Sequence, residues 1–195
     1  MSQDKKRTAI EKRAENPGAL VPFSLSALKD HLPLSFPVPS DWPDSPKRKY
    51  RSEYRYLGWD GLDEAIWADG SVFEFQLYLI NYRSLERLLA YYIYQPSAKG
   101  QVPFDPVSMY LLSLYRRDRN LSRPEVLRQL RHPKEGQELR RWLGFQDEYP
   151  SESGLRYFES RLTPELQREI NALQIDMVYQ AGLLPTKLEA EKKVT

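Results

Sequence analysis

Seven prolines, Pro17, Pro22, Pro33, Pro37, Pro39, Pro43 and Pro46, fall within the first quarter of this 195-residue chain and exclude a long helix there. Each removes a backbone donor and biases the residue before it toward extended conformations. The stretch is too apolar for a simple linker, because Leu20, Val21, Phe23, Leu25, Leu28, Leu32, Leu34 and Phe36 punctuate it. It reads as an extended arm that packs against something, either this chain or another.

From Phe73 the pattern turns helical. Leu77, Ile80, Leu85, Leu88, Leu89 and Tyr92 recur at spacings near three and four, predicting a helix through to Tyr94, before Pro96 and Gly100. Asp105-Pro106 is an N-cap with a first-turn proline, opening a helix whose apolar face holds Met109, Leu111, Leu112 and Leu114 and which ends at Asn120. Ser122 and Glu125 form a capping box around Pro124, and Val126, Leu127 and Leu130 give the next buried stripe, closed by His132-Pro133. A helix over 134–143 stops at Gly144, and Pro150-Ser151 introduces one over 152–162 with Leu155, Phe158 and Leu162 inward. Thr163-Pro164 starts the last, where Leu166, Ile170, Leu173, Met177 and Ala181 keep a helical spacing until Gly182 and Pro185. No stretch shows strand alternation. The expected fold is mainly α, a helical bundle with a helix-turn-helix-like unit, preceded by the extended Pro-rich arm. Residues 1–61 form the arm, 62–186 the helical domain and 187–195 a charged tail.

The chain has no Cys and two His, His31 and His132. That excludes a disulfide framework and a thiolate zinc site, leaves too few imidazoles for a His-rich metal centre, and fits a reducing compartment. The longest strongly apolar stretch, Leu88 to Tyr94, is far below the roughly 18 residues of a membrane span, and the start MSQDKKRTAIEKRAE has no apolar h-region. No membrane partner is expected. Asp60, Asp63, Glu64 and Asp69 could hold a hard cation through oxygen ligands, although Asp60-Gly61 and Asp69-Gly70 are more simply turn signals. A nucleophile elbow and a glycine-rich phosphate loop are both missing. The sequence therefore assigns no metal, no cofactor and no catalytic residue.

The formal net charge of +2 conceals an uneven distribution. By segment the net charge is +3 over 1–61, −3 over 62–115, +5 over 116–141 and −3 over 142–195. The first basic zone, Lys47, Arg48, Lys49, Arg51 and Arg55, is interleaved with Tyr50, Tyr54, Tyr56 and Trp59. Such cations suit phosphates, and the rings either stack on bases or dock on the core. The second zone, Arg116, Arg117, Arg119, Arg123, Arg128, Arg131, Arg140 and Arg141, favours Arg, whose planar fork of donors suits phosphates and base edges. It also reads as a solvated helix surface laced with pairs such as Glu125 and Arg128.

A resemblance rests on four runs: Phe104-Asp105-Pro106-Val107-Ser108-Met109-Tyr110-Leu111-Leu112, Leu121-Ser122-Arg123, Arg141-Trp142-Leu143-Gly144-Phe145, and above all 150–162, PSESGLRYFESRL. Together they resemble the amino-terminal helical domain of bacterial and archaeal insertion-sequence transposases of the DDE type. The resemblance covers about 80 residues, from Phe104 to Leu183. It implies recognition of double-stranded DNA at a transposon's terminal inverted repeats, in the cytoplasm and associated with the nucleoid. Two capped helices, 123–131 and 152–162, would then pack as a helix-turn-helix variant with helix 134–143 between them, the second being the reader. With Leu155, Phe158 and Leu162 inward, Glu152, Arg156, Tyr157, Ser160 and Arg161 remain to meet phosphates and base edges, and the helix start at Ser151 favours a phosphate.

The family's catalytic domain uses three carboxylates to hold two metal ions. The chain stops at Thr195, where the first catalytic strand would follow Gly182-Leu183-Leu184-Pro185. The expectation is thus a non-enzymatic DNA-binding domain, truncated, split, repurposed or a fragment, acting with a separate catalytic part or alone, and able to form a homodimer. Two alternatives stay open: a helical interaction or oligomerisation module using the arm, and a single-strand or RNA-binding module using Tyr50, Tyr54 and Tyr56.

Overall fold

Pro106 through Ser113 are buried without interruption, a pattern that no surface helix shows, and they mark the centre of the fold. The computed structural model describes residues 33–38, 40, 49–58, 71–94 and 101–181. Seven α-helices lie among them: α1 Val72–Leu79, α2 Glu86–Ile93, α3 Pro106–Asp118, α4 Arg123–Arg131, α5 Glu135–Leu143, α6 Glu152–Arg161 and α7 Pro164–Gln180. The fold is mainly helical, as the periodicity predicts. Helix α3 touches α1, α2, α5 and α6, and α4 packs on both α5 and α6.

Cap chemistry sets most boundaries where the sequence reading places them. Ser122 and Glu125 form both halves of the capping box of α4, Ser151 caps α6, and Thr163 caps α7. Asn120 takes a left-handed φ of 50° just after α3. Gly144 ends α5 at φ 75°, and a Cβ there would strike the backbone of Glu53 and Tyr54. Only glycine therefore allows the chain to turn so close to the 51–58 segment, whose Glu53 N–H donates to the Gly144 carbonyl at 3.0 Å.

Two expectations need correction. The helix expected to run through to Tyr94 is interrupted, because Ile80–Asn81 forms a strand, β2, paired in parallel with β1, Leu34–Ser35. Ile80 is extended at φ −116° and ψ 125°, and the Asn81 side chain accepts from the Arg83 N–H at 3.1 Å. That local bond competes with helix continuation and starts the 3-10 turn Tyr82–Leu85. Second, α3 has no outer face along its first two turns: Ser108, Tyr110 and Ser113 are buried alongside the leucines, whereas Leu114 is partly exposed. Of the Pro-rich arm, Leu34 and Phe36 are buried in this chain. The rest of the arm's apolar residues from Leu20 to Leu32, the acidic residues 60–69 and the tail 187–195 lie outside the described residues.

Asp105, fully buried, ties two segments, 51–58 and the turn carrying Arg83, to the start of α3. Its Oδ1 accepts from the Val107 N–H at 2.8 Å, and its Oδ2 accepts from the Tyr54 N–H at 3.2 Å and from Arg83 Nη1 at 2.7 Å. Its own N–H donates to Ser52 Oγ at 2.9 Å. Burial pushes this carboxyl above the usual aspartate range, against the opposing pull of the Val107 N–H, Arg83 and the Tyr54 N–H. A raised carboxyl contributes most stability below its unfolded value and loses that contribution as pH rises through its folded value. Asp105→Ala is expected to lower unfolding free energy by about 2–4 kcal/mol, because it removes a cap and strands two buried donors. Urea unfolding at several pH values checks both the size and the sign, with Asp105→Asn retaining part of the cap and flattening the pH dependence.

Candidate nucleic-acid interface

The 150–162 run folds as α6, introduced by Ser151, whose Oγ accepts from the Gly154 N–H at 3.1 Å. Leu155 and Phe158 are buried beneath it, and Leu162 at its C-cap is buried as well. Ser153, Arg156, Tyr157 and Ser160 are exposed, at the spacing of a single helical face. Tyr157 is 50% exposed, and the Arg161 guanidinium stands 5.2 Å from its ring centroid. Ser160 Oγ donates to the Tyr157 carbonyl at 2.7 Å. The helix start is less suited to a phosphate than the sequence reading has it, since the Ser151 hydroxyl already serves the backbone and Glu152 brings negative charge to the first turn.

Glu159, one position beyond Phe158, divides the arginines. Its side chain is 10% exposed and accepts from Arg116 Nε at 2.8 Å and from Arg123 Nε at 2.6 Å. Arg116 Nη1 also donates to the Leu121 carbonyl at 3.1 Å. One carboxylate thus clamps the end of α3 and the start of α4 onto α6. Arg117 Nη1 donates to Gln167 of α7 at 2.9 Å, and Arg119 Nη2 pairs with Glu74 of α1 at 2.8 Å. Arg140 Nη1 donates to the carbonyls of Leu130 and His132 at 2.8 and 3.0 Å, which finishes the end of α4. Glu125 turns to Ser122 rather than to Arg128. Arg128 and Arg131 of α4, Arg141 of α5, Arg156 of α6 and Lys134 before α5 are exposed, with no side-chain hydrogen bond or ion pair to another described residue.

The first basic zone is built differently from a stacking platform. Tyr54 is 2% exposed and packs edge-on to Tyr82, with centroids 6.3 Å apart. Tyr56 donates its hydroxyl to the Tyr78 carbonyl, and burial pushes that hydroxyl up to about 12. Tyr50 donates to Glu86 at 2.8 Å. Arg51 pairs with Glu148 at 3.0 Å and lies 4.0 Å over the Phe104 ring, while exposed Arg55 pairs with Glu53 at 3.0 Å. Lys49 is exposed. Lys47, Arg48 and Trp59 lie outside the described residues. Of the two readings of these tyrosines, docking on the core is the one the structure displays.

The corner between α4 and α5 is tight. Glu135 N–H donates to His132 Nδ1 at 3.0 Å, so His132, the C-cap of α4, also satisfies the first N–H of α5. A Cβ on Gly136 would strike the carbonyls of Gln129 and Leu130. A cleft of about 590 Å³ opens beside α5, where Lys134, Arg141, Glu138 and Asp147 mix both signs of charge.

No protein-family model, curated protein or solved structure matches the chain. Among the described residues, no helix is long and apolar enough to cross a membrane, and no group of three or more acidic or His side chains is arranged to hold a metal ion.

Glu159 is the site residue that the sequence reading passes over. The opposite net charges of segments 116–141 and 142–195 are the sequence signal from which it could be found, since a +5 segment followed by a −3 segment invites pairing within the chain. Glu159→Ala is expected to lower unfolding free energy by about 1–3 kcal/mol, because both arginines can partly rehydrate once it is gone. Arg123→Ala, removing the more exposed partner, is expected to cost about 1 kcal/mol or less. Denaturant unfolding of both variants and of the double mutant checks the order and the non-additivity.

Proposed function

We propose that this chain is a sequence-selective DNA-binding domain, of the kind its 104–183 segment resembles at the amino-terminal end of DDE transposases, and that α6 reads terminal inverted repeats in the major groove. The observation that carries this reading is the partition of cations around α6. Glu159, Arg116 and Arg123 fix the helix from within, while Arg156, Tyr157 and Ser160 are exposed on its outer side and half-buried Arg161 reaches the Tyr157 ring. A rigid helix with an outward guanidinium and aromatic side chain suits base-edge contact. Arg128 and Arg131 on α4 supply phosphate contacts, and α4, the corner to α5, and α6 play the parts of a helix-turn-helix variant. The domain would act in the cytoplasm on nucleoid DNA, and strand cleavage would require carboxylates from a separate catalytic part. A single-strand or RNA platform built on Tyr50, Tyr54 and Tyr56 is not favoured, because those rings are spent within the fold.

The purified chain, incubated with sheared genomic DNA from its source and washed at physiological salt, is expected to retain fragments bearing paired inverted repeats. Arg156→Ala or Arg161→Ala is expected to lose about 1–3 kcal/mol of discrimination at one base pair. Arg128→Ala is expected instead to weaken all sequences alike and lower the salt slope by about 0.9. Retention no different from input, or unchanged sequence preference in both α6 variants, would reject α6 as the reader.

A further inference from the structure

Helix α7 carries an outward face that the DNA-binding reading does not use. Leu166, Ile170 and Met177 are buried against the fold, whereas Arg168, Ala172, Ile175 and Tyr179 are exposed. Ile175 is 60% exposed and Tyr179 43%. The four sit at spacings of 4, 3 and 4, the interval of a coiled-coil seam, and extend over about 16 Å of helix.

We infer that this face pairs with the same face of a second copy of the chain, the two α7 helices running antiparallel. Complementarity along the stripe selects that occupant and that direction. A two-fold axis between Ala172 and Ile175 brings Arg168 of each copy opposite Tyr179 of the other, and Ala172 opposite Ile175. A guanidinium then meets an aromatic ring twice, and a small side chain meets a branched one twice. Asp176, one turn from Tyr179, adds a carboxylate at the same end of the stripe, its present donor being the exposed Gln180 Nε2 at 2.7 Å. A parallel pair would instead set Arg168 against Arg168 and leave a gap between two alanines. The present partners of Arg168, Glu165 Oε1 at 2.8 Å and the Pro164 carbonyl at 3.2 Å, are exposed contacts within its own helix and are cheaply exchanged. Three turns of seam bury less than a standard interface, so association is weak and depends on concentration.

Sedimentation equilibrium of the full chain over roughly 1 μM to 1 mM, the range of affinities such a seam supports, is the test. The mass is expected to rise from 22.9 kDa toward twice that value. Ile175→Glu is expected to stay at the lower mass with unchanged circular dichroism and, at about 1 μM where both chains are monomeric, unchanged thermal unfolding. Because the chain has no Cys, mixing Ala172→Cys with Ile175→Cys chains under oxidation reads the direction. A mixed disulfide in excess over either like pair is expected for the antiparallel seam. A constant mass of 22.9 kDa would overturn the inference. So would a dimer indifferent to Ile175→Glu, an excess of like pairs, or an Ile175→Glu chain that loses thermal stability at about 1 μM, the last meaning that the stripe is covered from within the same chain.

Discussion

The carboxyl of Asp105 is where the separate pieces of this fold meet. It starts α3, the helix on which α1, α2, α5 and α6 pack, and the same two oxygens hold the 51–58 segment and the turn carrying Arg83. Leaving a buried acceptor or donor unmade costs more than the bond contributes when made, so this one group dictates where the 51–58 segment must run. That segment then sets the requirement at Gly144, since the end of α5 can approach Glu53 and Tyr54 only without a Cβ. A cap, an ion pair buried on its Asp105 side alone and a glycine turn thus form one connected constraint at the start of α3.

A second carboxylate, Glu159, fixes α6 on that scaffold. Positive charge concentrated over 116–141 is divided: Arg116 and Arg123 are spent locating α6, whereas Arg128 and Arg131 stay on the outside, as does Arg156 of α6 itself. Net charge alone says nothing of this division, and neither does a count of arginines. The proposed reader helix owes its rigidity to the first group and its proposed chemistry to the second. Recognition benefits from such an arrangement, because a helix already fixed in place loses little freedom when it meets a groove.

Local rules carried much of this into the sequence. Ser122 with Glu125, Asp105 with Pro106, Thr163 with Pro164 and Gly144 each announce a helix end through chemistry confined to a few residues, and each stands at the boundary it marks. Leu155 and Phe158 likewise face inward as their spacing requires. Illegible features depend on residues distant in the chain. The break at Ile80–Asn81 needs Leu34–Ser35 as a strand partner, the unbroken burial of α3 needs neighbours on every side, and the docking of Tyr54 needs Tyr82. The pairing of Glu159 with Arg116 spans 43 positions, and only the opposed segment charges hint at it.

The most direct test of the central claim, that the outer face of α6 lies on DNA, is site-directed cleavage from a tethered reagent. The absence of Cys makes single-cysteine attachment clean, at Tyr157→Cys on α6 and at Ile175→Cys on α7 as the comparison. With the chain bound to its retained fragments, cuts clustered within the bound site from position 157 and none from position 175 are predicted. DNA binding that persists while position 157 yields no cuts would contradict the account.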